Sequence, residues 1–270
     1  MNHNRKFILA ISLVLTASLA CNTLAASTTT PTAAPILTSA PTSASIPTAT
    51  PIPFYQQVTV STTSYSDSGT SPDYKITAQI PTIANNNDPR AVAFNSEMNN
   101  FVQHLADDFK KNMASMGPPP IQATSSLDVQ YQVVSPSGNI LSIKYQTEGY
   151  IAGMAHPYHL MYSFNYDLEQ GKDIALSDLF LPGADYLGAL SKYCAAQLST
   201  RDINFQDFSQ GADPTAENYK NWNITSEGLM ITFDEYQVAA YVAGPQVVTV
   251  PYSELKSLID PNGPLGVFIK

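Results

Sequence analysis

Residues 148–180 read EGYIAGMAHPYHLMYSFNYDLEQGKDIALSDLF. Apolar and polar residues alternate through HLMYSFNYDL, the period of a strand whose side chains point to opposite faces in turn. Upstream of it lie a Gly-x-x-Gly-like turn run and His156, three residues before His159, the first residue of the strand. Downstream, Glu169, Gln170, Gly171 and Lys172 carry turn chemistry and lead into the short apolar segment IALSDLF, which Ser177 or Asp178 tightens.

Working outward, LDVQYQVV places Leu127, Val129, Tyr131 and Val133 on one face, and Leu141, Ile143 and Tyr145 repeat the period after a turn at residues 135–139, so a hairpin is predicted. QQVTVSTTSYS and DYKITAQIPTI predict two earlier strands that neighbour each other. Between these pairs, Asp88 and Pro89 open a helix with an apolar stripe at Met98, Phe101, Val102, Leu105, Phe109 and Met113, and Gly117 with Pro118, Pro119 and Pro120 ends it. A second helix is predicted over residues 186–199, burying Leu187, Leu190, Tyr193, Cys194, Gln197 and Leu198. An irregular segment spans residues 200–221. Strands follow around Ile224, from Leu229 to Phe233 and from Pro245 to Val250, and a terminal helix is expected over residues 252–259. Strands with one helix, then strands with two, predict an α+β fold: antiparallel sheets packed against a few helices, in two small subdomains after a disordered N-terminal stalk.

Residues 1–26 have a basic start, an apolar run from Phe7 to Ala20 and then small residues, the pattern of an export signal. Two endings compete: SLAC places Cys21 where a lipoprotein is lipidated, and LAA offers ordinary cleavage near Ala26. Residues 27–53 are almost wholly Thr, Ser, Ala and Pro, and lack the apolar surface needed to offset their ordering entropy. Near polyproline II geometry such a linker reaches about 80 Å. The other cysteine, Cys194, sits in a helical pattern where an inert buried thiol is expected.

The chain carries 13 Lys and Arg against 22 Asp and Glu. Arg5 and Lys6 are the only charged residues before Phe54, so the body has 11 basic and 22 acidic residues, a net charge of −11. That sign excludes nucleic acid and anionic headgroups as partners of the body and favours cationic proteins.

Candidate chemistry is sparse. HPYH lacks the i, i+4 spacing and the glutamate of a zinc protease, and Pro157 disfavours a helix, so no metal and no cofactor is expected. His156 is expected to hydrogen-bond backbone at a turn, and His159 to be exposed. Asp234 and Glu235 are adjacent and are expected to form a solvated turn, because neighbours on a strand point to opposite faces. No catalytic residue is assigned. With 15 Tyr and one Trp, aromatics with polar tips are the candidate binding groups: His156, Tyr158, His159, Tyr236 and Trp222.

The quoted stretch, together with GLMITFDEYQVAAYVAGPQVVTVPYSEL at residues 228–255, resembles the C-terminal domain of the anti-sigma-V factor family, membrane-anchored sensors of lysozyme. The same domain accompanies the peptidoglycan deacetylase C of bacilli, and the segment from about Val58 to Val133 resembles the smaller domain ahead of it in both. The likeness covers about residues 58–260 and is carried by Gly149, Gly153, His156, Pro157, Asn165, Asp167, Gly171, Leu176, Asp178, Leu179, Phe180, Phe233, Tyr236, Gly244, Pro251, Tyr252 and Leu255. It implies a small α+β domain over residues 54–135 and an anti-sigma-V-like domain over residues 136–265. It also implies a partner: lysozyme, another cationic wall hydrolase, or peptidoglycan. The sequence departs from the family in showing neither a sigma-binding segment before the export signal nor a downstream deacetylase domain, and it shows no membrane span on which regulated proteolysis would act, so the resemblance does not extend to signalling. The expectation is a non-enzymatic, extracytoplasmic binding module, lipid-anchored to the membrane or secreted. The alternative is a hydrolase or deacetylase-associated enzyme using His156 with Asp167 and Asp178.

Overall fold

A computed structural model describes residues 51–84, 87–118 and 122–269. The expected export signal, most of the expected linker and Cys21 lie outside them. Among the described residues, no helix is long and apolar enough to cross a membrane.

The architecture is α+β. Strands β1 (Val60–Thr70), β2 (Asp73–Ile83), β3 (Ser125–Ser137), β4 (Ile140–Tyr150), β5 (Tyr158–Asp167) and β6 (Lys172–Asp173) form one sheet in that order. The expectation of purely antiparallel pairing needs one correction. β2 and β3 run parallel from Tyr74↔Ser125 to Ala78↔Val129, because the helix α1 (Pro89–Met116) between them carries the chain back across the sheet. Alternation identifies a strand but does not say which neighbour it takes.

Helix α1 starts where Asp88 accepts a hydrogen bond from the Arg90 backbone N–H and Pro89 needs no partner of its own. Its buried residues Phe94, Met98, Val102, Ala106, Phe109 and Met113 recur at steps of three and four and cover one face of the sheet with Ile76, Ile143 and Tyr145. A second core gathers α2 (Tyr186–Leu198), the small antiparallel sheet of β7 (Trp222–Ile224), β8 (Gly228–Phe233) and β9 (Gln246–Pro251), and the short α3 (Tyr252–Leu255). Helix α2 buries Leu190, Cys194 and Leu198, whereas Gln197, expected inside, is exposed. The terminal helix stops at Leu255, four residues before its expected end.

β4 is the wall between the two cores: Ile140 belongs to one cluster and its neighbour Leu141 to the other, as strand alternation requires. A buried polar network fastens the sheets together there. Ser142 donates to Asn165 Oδ1 at 2.7 Å, Asn223 Nδ2 donates to Ser142 Oγ and to the Ile143 carbonyl, and Asn165 Nδ2 donates to the Trp222 carbonyl. The expected division at residues 135 and 136 lies within the β3–β4 hairpin, and Thr50–Lys270 forms one compact unit, so the two cores share a hairpin rather than a linker.

At the start of this unit Phe54 is buried, and the Arg90 guanidinium lies 4.1 Å from its ring centroid. Arg90 also pairs with Asp88 at 2.8 Å and Glu169 at 3.1 Å, while Glu169 accepts the Tyr55 N–H.

Candidate functional site

β5 is paired with β4 along its whole length, but β6 covers it only at Tyr166 and Asp167. The remaining N–H groups on its outer edge need partners from elsewhere. Two of these partners come from the turn after β8. The Asp234 carboxylate accepts the Met161 N–H at 3.1 Å, and Glu235 accepts the His159 N–H at 3.1 Å and meets the imidazole Nδ1 at 2.7 Å. The Glu235 side chain is 8% exposed and His159 is half-buried, which corrects the expectations of a solvated turn and an exposed histidine. The reason is local. β8 ends at Phe233, the chain turns with Tyr236 at φ 63°, and outside a strand two consecutive carboxylates are free to face the same neighbour. Burial raises the Asp234 carboxyl above its usual range, against the opposing pull of the Met161 N–H.

Beside this edge, three rings form a shelf. His156 Nδ1 lies 2.7 Å from the Pro157 carbonyl, which also accepts the Tyr241 hydroxyl at 3.0 Å. A carbonyl only accepts, so Nδ1 carries the proton. The His156 and Tyr241 ring centroids are 4.1 Å apart, and Tyr241 and Tyr236 5.6 Å. Tyr236 is 56% exposed and Val242, next along, is 94% exposed.

Of the sequence-predicted site residues, His156, His159 and Tyr236 come together in this region. Tyr158 has a packing role: its ring covers Gly149 so closely that a Cβ there would sit 2.1 Å from the phenol carbon. Trp222 is only 6% exposed and lies in the second core, so it is a core residue and not a surface anchor. Asp167 and Asp178, the acids of the enzyme alternative, are used elsewhere. Asp167 accepts from Asn139 and from the Glu169 and Gln170 N–H groups, and Asp178 accepts from the Ala175 N–H.

Between β4, β5 and residues 241–247 lies a cleft of about 650 Å³ lined by Lys144, Gln146, His159, Met161, Glu235 and Tyr241, among others. Sequence reasoning missed Lys144, Gln146 and Glu235 as cleft residues. The signal for the first two was present in the polar phase of the β4 alternation. Chemically, a carboxylate on one imidazole nitrogen orients the ring for proton transfer at the other. Among the described residues, however, the partners of that Nε2 amount to Glu148 at 3.9 Å, and no group of three His, Cys, Asp or Glu side chains converges to hold a metal ion.

Residues 177–253 match the family described as Protein of unknown function (DUF3298), a segment running from the turn before α2 to the start of α3. Over 167 residues the chain is 28% identical to the peptidoglycan-N-acetylmuramic acid deacetylase PdaC of Bacillus subtilis, covering 61% of this chain and 36% of the deacetylase. The chain thus matches about a third of that relative's length. It is 26% identical over 175 residues to the immunogenic protein MPT64 of Mycobacterium tuberculosis, covering 60% of this chain and 71% of that one. In fold it is similar to a DUF3298 family protein of Bacteroides fragilis (TM-score 0.61, 16% identity, 79% of this chain and 97% of that one). A DUF3298 family protein of Pseudomonas aeruginosa is also similar (TM-score 0.54, 14% identity, 79% of this chain and 96% of that one).

Proposed function

We propose that the protein is an extracytoplasmic binding module of the cell envelope, held to the membrane through lipidated Cys21, that captures lysozyme or another cationic wall hydrolase on the shelf of His156, Tyr241 and Tyr236. The observation that carries this reading is Tyr236, 56% exposed on a turn where its own φ is positive, with its ring against Tyr241, whose chain neighbour Val242 is 94% exposed. Backbone in the left-handed region costs a non-glycine residue about 1 to 2 kcal/mol, and here it holds an aromatic ring in water where no core uses it. The net charge of −11 from Phe54 onward supplies attraction for a cationic partner. The likeness to a peptidoglycan deacetylase supports a role at the wall.

The test is retention of purified lysozyme by the immobilised body from Phe54 onward. Capture at low ionic strength that falls as salt rises, and is lost in Tyr236→Ala, is the expected result. No retention even at low ionic strength overturns the partner.

A second reading, a carbohydrate-active hydrolase or deacetylase, is favoured by the His159–Glu235 pair alone. It requires turnover of peptidoglycan fragments, assayed with and without chelator, that disappears in His159→Gln.

A further inference from the structure

The strand that floors the cleft is ordered by charge and runs on past the lining to Glu148, which lies 3.9 Å from the lining residue His159. Lys144, Gln146 and Glu148 alternate along β4 with the buried Ile143, Tyr145 and Thr147, so all three project from one face. Across the strand pair they stand opposite Ser163, Met161 and His159. Four residues of strand separate Lys144 from Glu148 by about 13 Å. Lys144 is half-buried, and burial pushes its amine below the usual range with no charged group opposing the shift. No carboxylate among the described residues pairs with it. At the other end Glu148 is 61% exposed and comes only to 3.9 Å from His159 Nε2, while Glu235 is occupied by the other imidazole nitrogen and the His159 N–H. Gln146, between the two ends, offers an amide donor and acceptor.

We propose that this cleft binds a short dipolar peptide, its free carboxylate on Lys144, its backbone amides on Gln146 and its cationic amine at Glu148. This rests on the reading that this face binds rather than catalyses, and it names a ligand class for the cleft beside the shelf. Competing ligand classes fit less well. A simple anion meets Glu235 in the lining and Glu148 beyond it, a simple cation meets Lys144, and a neutral sugar leaves a partly desolvated ammonium without a counter-charge. A dipolar chain answers both ends. An extended tripeptide spans about 10 Å, and a lysine side chain at its amino end supplies the remaining reach. The cleft volume of about 650 Å³ lies within the range that holds ligands of this size.

The experiment is calorimetric titration of the body from Phe54 onward with the tripeptide Lys-Ala-Ala, free and amidated at its carboxyl end. Saturable binding of the free acid is expected, at least tenfold tighter than the amide. Lys144→Met binds the free acid at least tenfold more weakly than the unmodified chain and no longer distinguishes acid from amide, whereas Lys144→Arg still does. Thermal unfolding of both variants checks that they are folded. No saturable binding by the unmodified chain, or an unchanged preference for the acid in Lys144→Met, overturns the assignment. Lysozyme retention is measured on the same preparations: retention without peptide binding sinks the cleft assignment alone, and peptide binding without retention sinks the hydrolase partner alone.

Discussion

Glu235 holds His159 at two points: one carboxylate oxygen lies 2.7 Å from the imidazole Nδ1 and the other accepts the backbone N–H of the same residue at 3.1 Å. One side chain thus fixes a ring and closes a strand edge. With Asp234 on Met161, a dipeptide takes the place a neighbouring strand would occupy.

Removing that carboxylate leaves a backbone donor and an imidazole nitrogen without partners. Glu235→Ala is expected to lower stability by about 1 to 3 kcal/mol, read from urea unfolding. Glu148→Gln, at the exposed end of the same histidine, is expected to change stability by less than about 1 kcal/mol. Equal effects would show that the bidentate grip does not stabilise the strand edge.

The polar network behind β4 makes a stronger demand. Asn223 is fully buried and bonds Ser142, the Ile143 carbonyl and Ser163. Asn223→Ala is expected to cost about 3 kcal/mol by leaving several buried groups unpaired. Asn218→Ala, whose amide bonds two backbone carbonyls near the surface, is expected to cost about 1 kcal/mol. Paired denaturation curves decide it.

Much of the fold was legible because local period and breakers agree along the chain. Helix α2 runs from Tyr186 to Leu198 as its stripe predicts, and β7 and β8 bend apart where Glu227 and Gly228 interrupt the pattern. What was hidden is long-range. The partners of the β5 edge lie 73 and 76 residues away, and no local pattern says that a DE dipeptide will reach back to a strand. Trp222 was misplaced for a related reason: the acidic segment before it gave no sign that β7 would be pressed against β4. Tyr236 and His156 stood out through composition and turn chemistry, but their stacking through Tyr241 joins segments far apart in the chain.

Stability is expected to rise as the medium is acidified from about pH 8 to pH 5. Glu97 is pushed up to about 7, first by burial and then by its hydrogen bond and repulsion with Asp173, from an ordinary value of 4.5. A carboxyl that binds its proton more tightly when folded contributes stability present below 4.5 and lost as pH rises through about 7. Burial shifts Asp234 in the same direction. Asp88, held at about 2 by Arg90, is ionised throughout this window and adds no slope. Thermal melts of Glu97→Gln should therefore show a flatter pH profile and a higher midpoint at pH 8; an unaltered slope would refute the assignment.

At Tyr236, φ is 63°, a conformation that glycine adopts without the Cβ penalty. Tyr236→Gly is expected to be neutral or more stable by up to about 1 kcal/mol, while losing lysozyme retention. A gain in stability with a loss of capture, measured on one preparation, is the signature of a ring kept for contact rather than for folding.

The clasp at the start of the compact unit has a mechanical consequence. Any pull transmitted from the N-terminal side meets Phe54 first, where a ring beneath a guanidinium and one glutamate bridge the entering chain to the turn after β5. Load is thereby diverted past β1, whose eleven residues would otherwise be peeled from the sheet one rung at a time. In single-molecule stretching from that end, Arg90→Ala should lower the rupture force while leaving the contour length released unchanged.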